Sequence, residues 1–430
     1  MPRERWSSAT GFVLVSIGSA VGIGNIWRFP YIMGVNGGGA FLLPYFIAIF
    51  VVALTILMVE FAIGRHYRKS VIGALSAISP SLRYAGVIIV FVVVMILSYY
   101  WVIMGWVLAF FAFFAAGAPV AFSDFSSSYL PLPFFGIAAA LTLGVVRLGV
   151  RKGLERLSKL LIPVLFVMML ILVTYSLALP GADQGLSFYL QPNFGRLVDP
   201  SVWTAAFGQA FFSLGVGMGV MLTYGSYAGK ESIAKSSAVI AVSDTSISLL
   251  AGMMIFPIVF SFGLDPAAGV QLAFVTLPSV FGQIGYGYIL GAAFFLLLFF
   301  AAFTSAVSML EVPVATIMEA YRMDRRKASA LSSALIFILG IPAALSYTQL
   351  SSSIWGLPIL DIYDTAFGTM SIIVAGLILT IIAGWRLDKS VLPKELGGGC
   401  ITQNALRVLI RYAIPLILTG TLIARLIQLF

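Results

Sequence analysis

The chain has 430 residues, of which 60% are hydrophobic and only 10% are charged, with one cysteine and one histidine. A mean hydropathy of +1.05 excludes a soluble protein, although the length alone would suit about two or three soluble domains. Apolar segments recur at roughly 20 residues, the length that crosses a bilayer. Cys400 has no second cysteine to pair with, and His66 stands alone in a basic loop, so neither a disulfide nor a His/Cys metal centre is expected. A net charge of +9 would fit a nucleic-acid binder, but the basic residues gather in alternate loops, the positive-inside pattern of a membrane protein. The expected surroundings are therefore a lipid bilayer, with no nucleic acid.

Eleven transmembrane helices are predicted, at about 9–34, 39–63, 84–116, 133–149, 158–179, 202–227, 238–262, 287–321, 329–346, 360–386 and 405–428. The expected fold class is an all-α membrane protein, one polytopic domain over 1–430. Arg65, Arg68, Lys69, Arg83, Arg151, Lys152, Arg156, Lys159, Lys230, Lys235, Arg322, Arg325, Arg326, Lys327, Arg386, Lys389 and Lys394 fall on one side, with Arg3 and Arg5. The opposite loops carry Asp124, Asp183, Asp199 and Asp265, with Arg196 as their only basic residue. This predicts a cytoplasmic N-terminus, a C-terminus outside near Phe430, and a multi-pass protein of the plasma membrane. No cleavable signal peptide is expected, because Met1–Arg5 leads straight into a full-length span.

The first span is interrupted. Ser19–Pro30 places Gly22, Gly24 and Asn25 in mid-membrane. Glycine is a poor helix former, and unpaired backbone groups are costly in lipid, so a helix broken at this depth is expected to line a cavity. The sixth span repeats the pattern in Phe212–Gly219, with Gly215, Gly217 and Gly219. Paired breaks at matching positions point to inverted repeats around a midplane site. The predicted repeats cover about 9–179 and 202–386, a five-plus-five arrangement with broken first and sixth helices and an extra helix at 405–428.

These residues resemble the neurotransmitter:sodium symporter family, in its prokaryotic branch of amino-acid transporters with the leucine-transporter fold. The resemblance covers nearly the whole chain. It rests on Ser19–Pro30, Asn36–Phe41, Glu60–Arg65, Tyr99-Tyr100, Gln209–Tyr227 and Ala301–Ser305. It implies a symporter that imports an amino acid with sodium by alternating access, and not an enzyme.

For the substrate, the resemblance implies that main-chain groups of Ala20, Gly22, Ile23 and Gly24 hold the carboxylate and amine, with the Tyr100 hydroxyl on the carboxylate. Gly22 stands where monoamine carriers of the family have an aspartate, which leaves room for a substrate with its own carboxylate. The side-chain pocket is expected from Ile96, Ile103, Phe212, Gly215, Met218, Ser305 and Met309, with Ser213 close by. Its apolar lining predicts a hydrophobic substrate. Gly215 is smaller than the serine of the leucine-type pattern, and Met218 replaces an aromatic, so bulky aliphatic or aromatic L-amino acids are expected.

Sodium requires hard oxygen ligands. The resemblance implies one site from Ala20, Asn25, Ser213 and the substrate carboxylate, and a second from Gly18, Val21, Ala301, Thr304 and Ser305. A Thr-Ser pair in a membrane helix is ordinarily back-bonded to its own helix, but the matching Gly18–Val21 segment favours an ion. Asp244 stands where the leucine-type pattern has an asparagine, and Ser248 where it has a glutamate. Chloride-dependent relatives line an anion with residues matching Tyr45, Gln209, Ser213 and Ser248. Asp244 is expected either to supply that negative charge, making chloride unnecessary, or to ligate the first sodium.

Arg28 is expected to pair with Asp364 as an outer gate near Gln209, with Tyr100 and Phe212 as a lid. Arg3 is expected to pair with Glu319 on the inner side, supported by Trp6, Ser226 and Tyr227. Gly153 and Pro163 match a family motif at which the fifth helix unwinds. Glu60 is expected to hydrogen-bond the unwound sixth helix, while Glu311 is either proton-linked or cavity-facing. The alternative reading is a proton-coupled transporter of the same fold, acting through Asp244 or Glu311. The oligomeric state is left between monomer and homodimer. No constellation for an integral-membrane enzyme is present in the sequence, nor a continuous polar lining for a channel.

Overall fold

The computed structural model describes residues 4–266, 272–350, 353–354, 356–397 and 400–429. Arg3 and Phe430 lie outside the described residues. The first half of the chain forms α1 (Ala9–Ala20), α2 (Gly24–Val35), α3 (Gly38–Tyr67), α4 (Val71–Ile78), α5 (Pro80–Ala115), α6 (Phe122–Ser127), α7 (Pro131–Arg147), α8 (Val150–Leu177) and α9 (Ala182–Leu190). The second half forms α10 (Pro200–Leu214), α11 (Val220–Gly225), α12 (Ile233–Ser261), α13 (Leu277–Phe281), α14 (Gly287–Tyr321), α15 (Arg325–Ala344), α16 (Ile359–Arg386), α17 (Val391–Leu396) and α18 (Gln403–Ile427). A two-residue hairpin, β1 (Ser353–Ile354) with β2 (Leu357–Pro358), precedes α16.

Among the described residues, eight helices are long and apolar enough to cross a membrane, or nine when the bent pair α1 and α2 counts as one span. Eleven were expected. The other two expected spans fall on shorter pieces: α7 has 17 residues, and the sixth span is divided between α10 and α11. The division follows from backbone geometry. Gly215, Gly217 and Gly219 all take positive φ, at 62°, 88° and 71°, and a left-handed residue ends an α-helix because its amide leaves the helical ladder.

α5 and α14 run against each other through the middle of the bundle. Both are apolar on all sides, as helices enclosed by protein or lipid must be. Close helix approach in a bilayer requires small residues. Accordingly, a Cβ at Gly340 of α15 would come within 2.5 Å of the Ser98 carbonyl of α5. The fifth span begins at Val150, earlier than the expected 158. Its first turn, Val150–Glu155, is a π-helix that runs into an α-helix containing Pro163. The segment expected to unwind is therefore wound in this structure, and Gly153 lets it lie against the Val145 carbonyl of α7.

The Arg-rich loops gather at one end of the bundle together with the N-terminal segment. Arg65 at the end of α3 donates to Glu395 of α17 at 2.5 Å, and Arg325 at the start of α15 donates to Glu4 at 2.8 Å.

Candidate functional site

The break between α1 and α2 bends the chain by 50°. Val21 is extended, with φ −70° and ψ 105°. The Gly22 N–H turns to Asn25 Oδ1 at 3.0 Å, so the Gly18 carbonyl loses its usual donor four residues on. The carbonyls of Ser19 and Val21 face α14, where Ser305 Oγ lies 3.1 and 3.4 Å away. Thr304 Oγ1 bonds the Phe300 and Ala301 carbonyls at 3.1 Å each, and a Cβ at Gly18 would lie 3.4 Å from Thr304 Cβ. Gly18, Val21, Ala301, Thr304 and Ser305 therefore meet at one junction of α1 with α14, rich in neutral oxygens.

A second polar cluster joins α2, α3, α10 and α12, all buried. Asn25 Nδ2 lies within hydrogen-bond distance of Ser213 Oγ (2.8 Å), Asp244 Oδ1 (2.7 Å) and Ser248 Oγ (2.9 Å). Ser213 Oγ donates to Asp244 Oδ2 at 2.7 Å. The Tyr45 hydroxyl lies 3.2 Å from Ser248 Oγ and 3.4 Å from Ser213 Oγ. A buried carboxylate is expensive unless hydrogen-bonded, and here both oxygens of Asp244 have donors. Gln209, expected in this cluster, instead donates from Nε2 to the Gly24 carbonyl at 2.8 Å.

Between the clusters lies a cavity of about 30 Å³ lined by Ser19, Ala20, Gly22, Gly24, Ile96, Tyr100, Phe212, Gly215, Met218, Val220, Ser305 and Met309. Most of the expected substrate residues are brought together here. Ile23 and Ile103 are not; they line a larger vestibule on the side away from the N-terminal segment. Ser213 turns away toward Asp244, while Ser19 and Val220 join the lining unforeseen. The cavity is smaller than the roomy pocket expected from Gly215. The Met218 methyl is the nearest atom to a Cβ built on that glycine, at 3.3 Å, so the thioether occupies the space the glycine leaves. The Phe212 ring closes over the backbone, 2.6 Å from a Cβ built on Gly24. The Tyr100 hydroxyl is buried against Gly22 and Ser305 without a well-formed hydrogen bond.

The vestibule, of about 330 Å³, holds Arg28, Asp361 and Asp364 among Trp27, Tyr31, Tyr99, Trp106 and Phe212. The expected Arg28–Asp364 ion pair is not formed. Arg28 stacks over the Phe212 ring, 4.3 Å from its centroid, and reaches Thr369 Oγ1 at 3.4 Å. Asp364 accepts instead from the Tyr99 hydroxyl at 3.0 Å. The cation–π contact uses the same guanidinium that the gate would need, so the two acids and Arg28 stand apart around an open space.

The opposite side is closed. Trp6 donates from Nε1 to the Tyr224 carbonyl at 3.1 Å and packs edge-on against Tyr224 and Tyr227. Ser226 bonds within its own turn, to the Thr223 carbonyl at 2.5 Å. Glu319 accepts from the Ser70 N–H at 2.6 Å; its expected partner Arg3 lies outside the described residues.

Four acids have partners that the sequence did not supply or supplied only in part. Glu60 accepts from the Gly217 and Leu222 amides, at 2.6 and 3.2 Å, and so caps the broken sixth span as expected. Glu311 is neither alone nor cavity-facing. It takes two hydrogen bonds from Arg325, at 2.7 and 2.8 Å, and one from the Tyr227 hydroxyl at 2.7 Å. Glu4 extends the network by accepting from Arg325 and from the Val150 N–H at 2.6 Å. Glu155, also unforeseen, accepts from the Ser7 N–H at 2.9 Å and pairs with Lys159 at 2.6 Å. The N-terminal segment is thus tied to the start of α8 at several points, the Arg151 Nε–Arg5 carbonyl bond of 2.9 Å among them. The basic partners Arg325 and Lys159 were read from the sequence only as topology markers.

Backbone groups freed at two helix breaks face a buried cavity with a vestibule on one side and a sealed wall on the other, the arrangement of a secondary transporter. The chain belongs to the sodium:neurotransmitter symporter family, whose sequence profile matches residues 3–129 and 134–429. It is 38% identical to the uncharacterized sodium-dependent transporter YhdH of Bacillus subtilis over 96% of this chain and 95% of that one. It is 28% identical to the sodium- and chloride-dependent taurine transporter of Rattus norvegicus, over 84% of this chain and 68% of that one. The crystal structure of MhsT in complex with L-phenylalanine superposes with a TM-score of 0.91 at 38% identity, covering 99% of this chain and 100% of that one.

Proposed function

We propose that this chain is a sodium-coupled symporter that imports hydrophobic L-amino acids, bulky aliphatic or aromatic, by alternating access. The observation that carries the reading is the buried Tyr100 hydroxyl, without a well-formed hydrogen bond, over the glycine-lined break at Ala20–Gly24, in a cavity otherwise walled by Ile96, Phe212, Met218 and Met309. A substrate carboxylate would satisfy that hydroxyl and the free backbone, and the apolar wall would receive the side chain. MhsT, with its bound L-phenylalanine, has the same fold and supports this class of substrate. Met218 must swing away from Gly215 to admit it, which a flexible thioether does at little cost.

Two sodium sites follow from the two oxygen-rich junctions. In the first, Ala20, Asn25 and Ser213 would hold the ion beside the substrate carboxylate, so that each completes the other's site, which is the physical basis of coupling. In the second, Gly18, Val21, Ala301, Thr304 and Ser305 would fasten α1 to α14. Asp244 serves as a fixed negative charge in the Tyr45–Ser213–Ser248 cluster, so chloride is not required. Its two oxygens are already engaged by Asn25 and Ser213, which favours this role over direct ligation of sodium. The repeats 9–179 and 202–386 would move about the site, with Arg28, Asp364 and Gln209 closing the outer side. Trp6, Ser226, Tyr227 and Glu319 would close the inner, cytoplasmic side. Proton coupling is the second reading; the bidentate Glu311–Arg325 pair favours Asp244 over Glu311 for that role.

Uptake of labelled amino acids into proteoliposomes, with and without sodium and chloride gradients, tests the proposal. Sodium-driven uptake of leucine, phenylalanine or tryptophan without chloride is expected. A preference for glycine or alanine would overturn the substrate class, and sodium-independent uptake would overturn the coupling.

A further inference from the structure

Away from the transport route, a cavity of about 180 Å³ lies where the end of α16 meets α17 and the first half of α18, beside Met58 of α3. Its walls are apolar, formed by Met58, Ala383, Leu387, Leu392, Leu406 and Ile410 among others. Its polar lining is mostly basic: Lys389, Arg407 and Arg411 against one acid, Asp388. The Asp388 carboxylate is already engaged by the Ser390 N–H at 2.8 Å and the Ser390 hydroxyl at 2.7 Å. Arg411 Nε is buried without a hydrogen-bond partner among the described residues, which leaves a charged donor waiting for an acceptor. The Arg411 guanidinium also lies 5.7 Å from the Trp385 ring and 5.5 Å from the Tyr412 ring. Both rings are exposed, at 45% and 58%, as aromatic residues are at a membrane–water boundary.

We propose that this cavity binds an anionic phospholipid of the leaflet that faces the N-terminal end of the bundle. The phosphodiester would sit among Lys389, Arg407 and Arg411, with Arg411 Nε donating to a phosphate oxygen. The first methylenes of the acyl chains would lie along Leu387, Leu392, Leu406 and Ile410. The volume suits a headgroup and the chain starts, with the rest of the lipid in the bilayer. Basic pockets between membrane helices select anionic headgroups by charge, and the apolar walls select a lipid over a free phosphate. The site links α16 to α18, so occupancy would brace α18, of whose apolar window only 28% is buried.

The full-length protein in nanodiscs tests this, because both leaflets then carry the same lipid and the result is independent of orientation. Quenching of Trp385 fluorescence by acyl-brominated phosphatidylglycerol is compared with that by acyl-brominated phosphatidylcholine, the Trp385→Phe variant supplying the background. Half-quenching is expected at a phosphatidylglycerol fraction about tenfold lower than for phosphatidylcholine, and the preference is expected to vanish in a Lys389→Gln/Arg407→Gln variant, both residues being exposed. Equal quenching by the two lipids, or a preference that survives the double substitution, would overturn the proposal. Displacement of the brominated lipid by soluble glycerophosphoglycerol would also overturn it, since the site would then belong to a free phosphodiester.

Discussion

A Cβ on Gly22 would come within 2.8 Å of Ser305 Oγ and 3.3 Å of the Tyr100 hydroxyl. Gly22→Ala should therefore push apart two groups assigned to ion and substrate, and lower apparent amino-acid affinity by about tenfold or more, since a small displacement in a preorganised site is costly. Equilibrium binding of labelled phenylalanine checks this; unchanged affinity would mean that Gly22 is only a packing position. Asp244→Asn removes the charge from the Tyr45–Ser213–Ser248 cluster while keeping its hydrogen-bonding shape. The expected outcome is uptake that fails in chloride-free buffer and recovers on adding chloride. Uptake lost in both buffers would favour Asp244 as a sodium ligand. At this scale Gly22, Asn25, Asp244 and Ser305 were legible in the sequence, because polar or glycine residues in mid-membrane stand out against an apolar background. The partner of Glu311 was not. Arg325 lies 14 positions further on, across the turn between α14 and α15, and a loop arginine reads as a topology marker.

Broken helices need their loose ends held, and Glu60 does this for the sixth span through the Gly217 and Leu222 amides. Glu60→Gln leaves one amide without an acceptor and should destabilise the protein by about 1–3 kcal/mol. A fall in the thermal transition of the purified protein is expected; an unchanged transition would show that the break is held by packing alone. The closure on the N-terminal side rests on α14, α15 and the N-terminal segment joined through Arg325. Removing one partner of a buried pair costs about 3–5 kcal/mol because the other is left uncompensated. Glu311→Gln should therefore open the sealed side, seen as faster labelling of a cysteine placed at Ser226. Labelling as slow as in the parent cysteine variant would count against a closing role. The breaks themselves were legible, since glycine triplets at Gly215–Gly219 leave few alternatives. The start of α8 was not, because basic, glycine-bearing residues 150–155 carry no hydropathy signal although they wind as a π turn.

Over the whole molecule, the vestibule is open around Arg28 and Asp364 while Trp6, Tyr224 and Tyr227 seal the far side. The two sides are therefore unlike, an asymmetry that the proposed alternating access requires of each of its end states. The membrane class and the family were legible from hydropathy and from an ordered set of six motifs, Ser19–Pro30 and Gln209–Tyr227 among them. The volume of the substrate cavity was not, because it depends on where the Met218 methyl rests and no sequence pattern fixes a flexible side chain. The claim that binds these features together is that ion and amino acid complete a shared site between α1, α2 and α10. The most direct test is equilibrium binding of labelled L-phenylalanine to the purified protein as sodium replaces potassium at fixed pH and ionic strength. The account predicts no binding in potassium, a steep rise with sodium from two ions acting together, and no competition by glycine. Binding that is equally tight without sodium would contradict it.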